Sequence, residues 1–288
     1  MIISDTELRE AQLIMLDILK EIDRVCKKGN IQYWLDSGTL LGAIRHKGFI
    51  PWDDDLDICM LREDYNKFIE ISKEELSKKY FLQSYDSDNK TENMWIKLRD
   101  RNSILKINER EKGHIGIFVD IFPMDFYSNN DKNYKIKNKI KLITLMYWMK
   151  HAKIKRPVIK HIKGNMTKLI ARLIFLFNPK FNYKNIIKLV KKELKNISME
   201  SEGSDYINYG VEVPFDKMIE KNWIFPLDSY EFEGEKYPIP REYDLYLKNL
   251  YGNYMELPKK ENRRPSHCYE LKLKLSEDEY SRLNKNYN

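Results

Sequence analysis

The run Leu35-Asp36-Ser37-Gly38-Thr39-Leu40-Leu41-Gly42-Ala43-Ile44-Arg45-His46, followed three residues later by Ile50-Pro51-Trp52-Asp53-Asp54-Asp55-Leu56-Asp57-Ile58-Cys59-Met60, decides how the chain is read. Its second half places four carboxylates between Asp53 and Asp57. If Asp55 to Met60 is a strand, side chains alternate between faces, so Asp53, Asp55 and Asp57 share one side while Leu56 and Ile58 enter a core. Asp54 then faces the other way. Like charges gathered at one place repel and raise each other's pKa, and a cation between them removes that cost. A ligand set made only of oxygens favours Mg²⁺ or Mn²⁺ over zinc, and Mg²⁺ commonly completes its shell with substrate phosphates.

The first half reads as a short buried strand, Ile31 to Leu35, passing through a glycine turn into a helix over Thr39 to Arg45. Gly38 and Gly42 therefore sit where strand gives way to helix, and the free N–H groups of a helix start make a ready phosphate site. Plain turn geometry is the alternative for the glycines taken alone. A solvated acidic loop or a calcium loop is the alternative for the carboxylates. The flanking Ile50, Pro51, Trp52, Leu56, Ile58 and Cys59 argue against an exposed loop.

Outward from this stretch, Leu8, Ala11, Met15, Ile18, Leu19, Ile22, Val25 and Cys26 recur at helical spacing and end at Gly29-Asn30. Tyr65, Phe68, Ile69 and Leu76 mark a second helix. Strands are expected at Tyr80 to Leu82, Trp95 to Leu98, Ser103 to Lys106 and Ile115 to Phe122. Asp120 interrupts the last of these inside an apolar run, where a carboxylate needs a partner or a metal. It is the natural third ligand beside Asp55 and Asp57. Lys132 to about Ile197 is helical and laced with lysines, with Pro157 and Pro179 dividing it into three helices. Short strands follow at Tyr206 to Val213, Trp223 to Phe225 and Tyr230 to Tyr237, with a turn at Gly234. Pro240 opens a helix that Gly252 ends, and Ser276 with Glu279 caps a terminal one.

The fold class expected is α/β in the α+β sense: a mixed-sheet core over 1–130, a basic helical insertion over 131–200, and a C-terminal part, 201–288, that completes the site. Between Asp131 and Lys195 there are 19 Lys and Arg against 2 acids, an excess of +17, whereas the rest of the chain is net acidic. A solvated lysine-rich surface, nucleic-acid binding and an anionic membrane face are the three readings of that segment. No nucleic-acid motif is present, so no nucleic-acid partner is expected. Leu173, Ile174, Phe175, Leu176 and Phe177 offer apolar side chains to a lipid interface. The start of the chain lacks the pattern of a signal peptide, and no apolar run approaches the roughly 20 residues of a membrane span. Three scattered cysteines, Cys26, Cys59 and Cys268, indicate neither a disulfide framework nor a zinc site. A cytoplasmic location is expected, peripheral on the inner face of the membrane if the basic segment binds it.

A glycine turn opening a helix, two carboxylates at i and i+2 soon after, and a third carboxylate on a later strand form the layout of a nucleotidyltransferase-type site, in which the turn holds phosphate and the carboxylates hold metal. Gly38 to His46 with Ile50 to Asp57 resembles the signature of the LicD family, bacterial phosphocholine transferases whose animal relatives are the fukutins. Val119-Asp120-Ile121-Phe122-Pro123 is similar to that family's second motif. Pro240, Tyr243, Leu247, Tyr251, Gly252, Tyr254, Pro258, Arg263 and His267 are similar to its C-terminal one.

The resemblance implies a nucleotidyltransferase-like fold and Mg²⁺-dependent transfer of phosphocholine from CDP-choline to a sugar hydroxyl, with CMP released. The acceptor it implies is a lipid-linked cell-envelope glycan such as a teichoic acid precursor. Asp55, Asp57 and Asp120 would be the catalytic metal ligands, with Asp53 beside them and Asp120 also the base toward the acceptor hydroxyl. Gly38, Thr39, Gly42, Arg45, Lys97 and Arg99 would hold the donor phosphates and nucleotide, and His46, Trp52, Tyr251, Arg263 and His267 are further substrate candidates. Tyr33, Trp34, Trp52, Trp95, Tyr209 and Tyr251 are the candidate aromatics for a choline cation to rest on. CDP-ribitol, CDP-glycerol or an NTP as donor, and a non-catalytic glycan- or membrane-binding module, are the alternatives.

Overall fold

A computed structural model describes residues 3–127, 132–151, 162–177, 182–197 and 204–287. Ser4 opens α1 (Asp5–Gly29) with a capping box, its hydroxyl accepting the Glu7 N–H while the Glu7 carboxylate accepts the Ser4 N–H. The apolar stripe from Leu8 to Cys26 is buried, and Asn30, in the left-handed region at φ 47°, stops the helix. The chain then builds β1 (Trp34–Leu35), α2 (Ser37–His46), β2 (Asp57–Leu61), α3 (Arg62–Glu75), β3 (Tyr80–Gln83), β4 (Ile96–Asp100), β5 (Ile104–Lys106) and β6 (Phe118–Tyr127). After α4 (Lys132–His151), α5 (Ile162–Phe177) and α6 (Tyr183–Ile197) come β7 (Tyr206–Tyr209), β8 (Ile219–Glu220) and α7 (Lys221–Ile224). The hairpin β9 (Asp228–Phe232) and β10 (Glu235–Ile239), then α8 (Tyr243–Tyr251), β11 (Glu270–Lys272) and α9 (Glu277–Asn284) complete the order.

The chain divides into two compact units, residues 1–124 with 217–288, and residues 125–216. In the first, the strand order runs β1-β2-β6-β4-β3, with β2 and β6 parallel and the other neighbours antiparallel. A mixed sheet of this kind needs helices on it to cover its apolar side chains. Leu56, Ile58, Met60, Leu98, Val119 and Ile121 are fully buried, as are Met15, Ile18, Leu19 and Ile22 of α1 and Phe68 of α3. The mixed α+β class expected from the alternation of periods is therefore the class observed.

The second unit, taken by itself, is helical with β7 appended. Ile140, Tyr147, Ala171, Ile186, Ile187 and Val190 of its helices are buried, as are Ile207, Tyr209, Val211 and Val213 in and after β7. Lys137 of α4 is fully buried and donates to the carbonyls of Tyr209 and Gly210 and to Asn208. The prolines that were to separate the helices, Pro157 and Pro179, lie outside the described residues. Among the described residues no helix is long and apolar enough to cross a membrane.

Three local expectations change. Trp223 to Phe225, read as strand, falls largely in α7, because three apolar residues are too few to separate a period of two from one of 3.6. The strand expected from Ile31 shrinks to Trp34–Leu35, since the Ile31 N–H still bonds to Cys26 at the end of α1. Asp53 to Leu56 precede β2 as irregular chain, so only Asp57 of the acidic group lies in the strand itself.

Candidate active site

The turn from β1 into α2 is held by the sheet on one side and by α8 on the other. The Asp36 N–H bonds the Asp57 carbonyl (3.1 Å), and the buried Asp36 carboxylate accepts the Tyr246 hydroxyl (2.6 Å) and the Ser37 hydroxyl (3.0 Å). Thr39 Oγ1 accepts the Asp57 N–H at 2.9 Å, tying the helix start to the first residue of β2. A Cβ on Gly38 would lie 2.8 Å from an oxygen of Asp53. A Cβ on Gly42 would lie 2.5 Å from the Gly48 carbonyl, so only glycine lets the loop after α2 fold back against the helix. The start of α2 thus approaches the acidic turn directly, with its first N–H groups uncommitted by the helix ladder.

Register does the rest. Asp57 pairs with Asp120 across the parallel strands β2 and β6, and Asp120 pairs with Lys97 across the antiparallel strands β6 and β4. Three charged side chains therefore stand abreast on one face. Lys97 Nζ lies 2.7 and 2.9 Å from the two oxygens of Asp120, and the Trp95 indole N–H donates to one of them at 2.6 Å. Burial pulls the Lys97 pKa below its ordinary value, against the opposing charge of Asp120. Burial and then the charge of Asp55 push the carboxyl of Asp53 well above the usual carboxylate range, against the pull of His267. Burial, followed by Asp55 and Asp120, does the same to Asp57. The protein's own cations thus fall short of relieving the charge gathered at Asp53 and Asp57.

Asp54, expected to face away from its neighbours, is buried and fully engaged, and it shares the His267 ring with Asp55. Its carboxylate accepts the backbone N–H groups of Ser266 (3.1 Å), His267 (2.8 Å) and Cys268 (2.6 Å). These bonds and the His267 ring outweigh burial and hold its pKa below the ordinary value. They also deliver His267 to the site, where Nδ1 stands 3.0 Å from Asp55 and 3.3 Å from Asp54 and the two carboxylates raise the imidazole to about 11.

A second group gathers beside Asp53. Arg45 donates to the Tyr254 carbonyl (2.8 Å) and the His46 ring (3.0 Å), and burial and the nearby Arg263 lower its pKa while Asp53 opposes them. The Arg263 guanidinium lies 5.4 Å above the Trp52 ring, whose other neighbour is His46 at 6.1 Å, edge to face. Tyr251 bonds Ser37, and burial of its hydroxyl end, the residue as a whole being 47% exposed, together with the charges of Asp36, Asp57 and Asp53 raises its phenol pKa. Arg99 stands elsewhere. It shares its face with Lys97 over the Phe118 ring, yet it is completely buried and committed to Gln83 (2.6 Å), the Gly116 carbonyl (2.8 Å) and Glu111 (2.9 Å). With three of its five N–H groups spent on the protein and none of its surface open, this guanidinium supports the sheet and is out of a phosphate's reach. Of the aromatics weighed for a choline cation, Tyr33, Trp34 and Tyr209 are buried, whereas Trp52 and Trp95 are half-buried and Tyr251 is exposed.

Two positioning residues escaped the sequence reading. Gln12 of α1 is buried and donates to the carbonyls of Ile50 (3.2 Å) and Asp53 (2.9 Å), fixing both ends of the acidic turn. Glu233, at the tip of the β9–β10 hairpin with φ 53°, accepts the Phe49 N–H (3.0 Å) and pairs with Arg9 (2.5 Å). The signal for Gln12 was present as a polar residue on an otherwise apolar helical stripe.

The donor set of Asp53, Asp55 and Asp57 is all oxygen, short of positive charge and beside a helix N-terminus, which fits a hard divalent cation. In the arrangement described, no three carboxylate, imidazole or thiol groups among the described residues already converge on one point, and Asp120 is closed onto Lys97.

Residues 30–163 match the family model described as LicD/FKTN/FKRP, nucleotidyltransferase domain. The lipopolysaccharide cholinephosphotransferase LicD of Haemophilus influenzae is 30% identical over 274 residues, which cover 91% of this chain and 97% of that protein. The human ribitol 5-phosphate transferase FKRP is 48% identical over a short block of 40 residues, 14% of this chain and 8% of FKRP. With the turn, the paired carboxylates and near end-to-end similarity all in agreement, the chain belongs to the LicD family.

Proposed function

We propose that this protein is a phosphotransferase that moves phosphocholine from CDP-choline to a hydroxyl of a cell-envelope glycan, such as a lipid-linked teichoic acid precursor, and releases CMP. The observation that carries the reading is the register of Asp57, Asp120 and Lys97 across three strands, facing a helix start pressed against Asp53. The name of the Haemophilus relative, a cholinephosphotransferase, favours choline as the group moved.

In this reading the acceptor oxygen forms a bond to the phosphorus that bears choline, the bond from that phosphorus to the bridging oxygen breaks, and CMP leaves with the electron pair. The N–H groups at the start of α2, together with Arg45 and Arg263, bind the diphosphate through charge-assisted hydrogen bonds. Asp120 receives the acceptor proton, with Lys97 and Trp95 fixing its orientation. Trp52, Trp95 and Tyr251 are the aromatic faces open enough to meet a quaternary ammonium. Mg²⁺, held by Asp55 and Asp57 with Asp53 beside them, would stabilise the charge developing on the phosphates.

The FKRP block supports a second reading, in which the chemistry is the same and the donor is CDP-ribitol. Incubating the purified protein with CDP-choline, CDP-ribitol, CDP-glycerol and NTPs, each with and without Mg²⁺, separates these. CMP released from CDP-choline in a metal-dependent way is the expected result, and release from another donor only would refute the choline assignment. Asp55→Asn with Asp57→Asn should abolish release. If both turnover and metal affinity survive that change, the metal-site reading is wrong; if the parent protein releases CMP from none of these donors, it acts as a binding module.

A further inference from the structure

The helical unit wears its apolar side chains on the wrong side for water. In α5, Met166, Leu169, Ile170, Leu173 and Leu176 recur at i, i+3, i+4, i+7 and i+10, and each is between 45% and 70% exposed. At 100° per residue they fill one arc of about 120°. The opposite side of the helix holds Ala171, which is buried, and Lys168, which is half-buried, while the half-buried Arg172 flanks the stripe. An ordinary surface helix has the reverse order. Leu142 and Leu145 of α4, the helix on which α5 packs, are exposed as well. Of the run suggested by sequence, Leu173 and Leu176 belong to this stripe, Ile174 is half-buried, and the side chains of Phe175 and Phe177 lie outside what is described. No described residue covers the stripe.

Charge decides what does. The segment from Asp131 to Lys195 carries 19 basic residues against 2 acidic ones, and Lys135 and Lys139 of α4 and Lys184, Lys188, Lys191 and Lys192 of α6 are exposed. A second copy of this chain would bring the same excess of positive charge to the contact. A nucleic acid would satisfy the lysines and leave five apolar side chains in water. An anionic bilayer satisfies both, with headgroups for the lysines and acyl chains for the stripe. We infer that α5 lies flat in the interface of an anionic membrane, its Met166–Leu176 stripe among the acyl chains, and that the exposed lysines of the same helical unit hold it there. Since no described helix can cross a bilayer, the attachment is peripheral and reversible. This inference does not depend on which donor the active site uses.

Co-flotation of the full chain with vesicles of phosphatidylcholine alone, or of phosphatidylcholine mixed with phosphatidylglycerol, tests it. Binding is expected to the mixed vesicles and to weaken as salt rises. The double change Leu169→Asp and Leu173→Asp should weaken that binding by about a hundredfold, because each leucine withdrawn from the acyl region loses roughly tenfold in affinity. Leu173→Gln, a milder change at an exposed position, should lose about tenfold with the helical circular dichroism unchanged. Lys184, Lys188, Lys191 and Lys192 changed together to Gln should lose at least about tenfold. Undiminished binding by the leucine variants would overturn the inference, since charge alone would then account for attachment. So would a concentration-dependent dimer, seen by light scattering, that the leucine changes dissolve.

Discussion

Lys97→Met isolates the charge that the protein itself supplies to its carboxylate group. Methionine nearly matches lysine in length and keeps contact with the Phe118 ring, over which the ammonium sits at 3.5 Å. What disappears is a cation 2.7 and 2.9 Å from the two oxygens of Asp120, in a pair only 3% and 9% exposed. Removing one partner of a buried pair leaves the other charge uncompensated, at a cost of about 3–5 kcal/mol. The Trp95 N–H stays at 2.6 Å and offsets part of this, so we expect a loss of about 3 kcal/mol. Against a total stability of about 5–15 kcal/mol the variant still folds. In urea, monitored by tryptophan fluorescence, its midpoint should fall by about 1 M or more. Adding Asp120→Asn should restore most of the loss, giving a coupling of at least about 2 kcal/mol in the double-mutant cycle. Mg²⁺ should raise the midpoint of Lys97→Met more than that of the parent, because the oxygens of Asp120 become available to it. A loss under about 1 kcal/mol, or strict additivity with Asp120→Asn, would refute the buried pair as the organiser of this face.

Gly42→Ala should cost about 1–3 kcal/mol and lower the melting temperature, because its methyl would meet the Gly48 carbonyl at 2.5 Å and the loop cannot retreat without dragging the acidic turn. His114 is buried and neutral, and burial, with Arg99 nearby, pulls its pKa from 6.5 down to about 3. The unfolded chain therefore binds a proton that the folded one refuses, and stability falls as pH drops from 6.5 toward 3. Between pH 7 and pH 5 the loss from this residue should be about 2 kcal/mol, and His114→Gln should remove that part of the slope in urea melts. Asp54→Asn should free the segment around Ser266, His267 and Cys268, seen as faster hydrogen exchange and protease cleavage there, because a side-chain amide cannot accept all three N–H groups as the carboxylate does.

The parts of the site that were legible in the sequence are those written in local spacing. The glycines, the odd-numbered carboxylates and Asp120 each break a pattern around them, and the structure brings them together because strand register carries Asp57 to Asp120. Lys97 was visible as a cation on a strand, but the pairing that closes it onto Asp120 depends on which strands are neighbours, and no local pattern encodes that. Arg99 looked equivalent to Lys97 by alternation, and it differs because Gln83, Gly116 and Glu111 come from other segments to enclose it. Glu233 was invisible for the same reason, as its partners Arg9 and Phe49 lie 224 and 184 positions away. Exposure was the other unreadable quantity. The stripe on α5 and the buried face of α1 have similar periods, and only the packed helices tell which one meets water.

The three backbone bonds to Asp54 also impose an order on assembly. Their donors lie 212, 213 and 214 residues downstream of the carboxylate they satisfy. During synthesis the acidic turn emerges from the ribosome long before Ser266, His267 and Cys268 exist, and through that interval Asp54 has water alone to solvate it. The strands β2, β4 and β6 can pair in the meantime, since all of their residues have already been made. Delivery of His267 to the turn has to wait for the C-terminal segment, so a nascent chain that has already paired these strands still has its carboxylates without that imidazole.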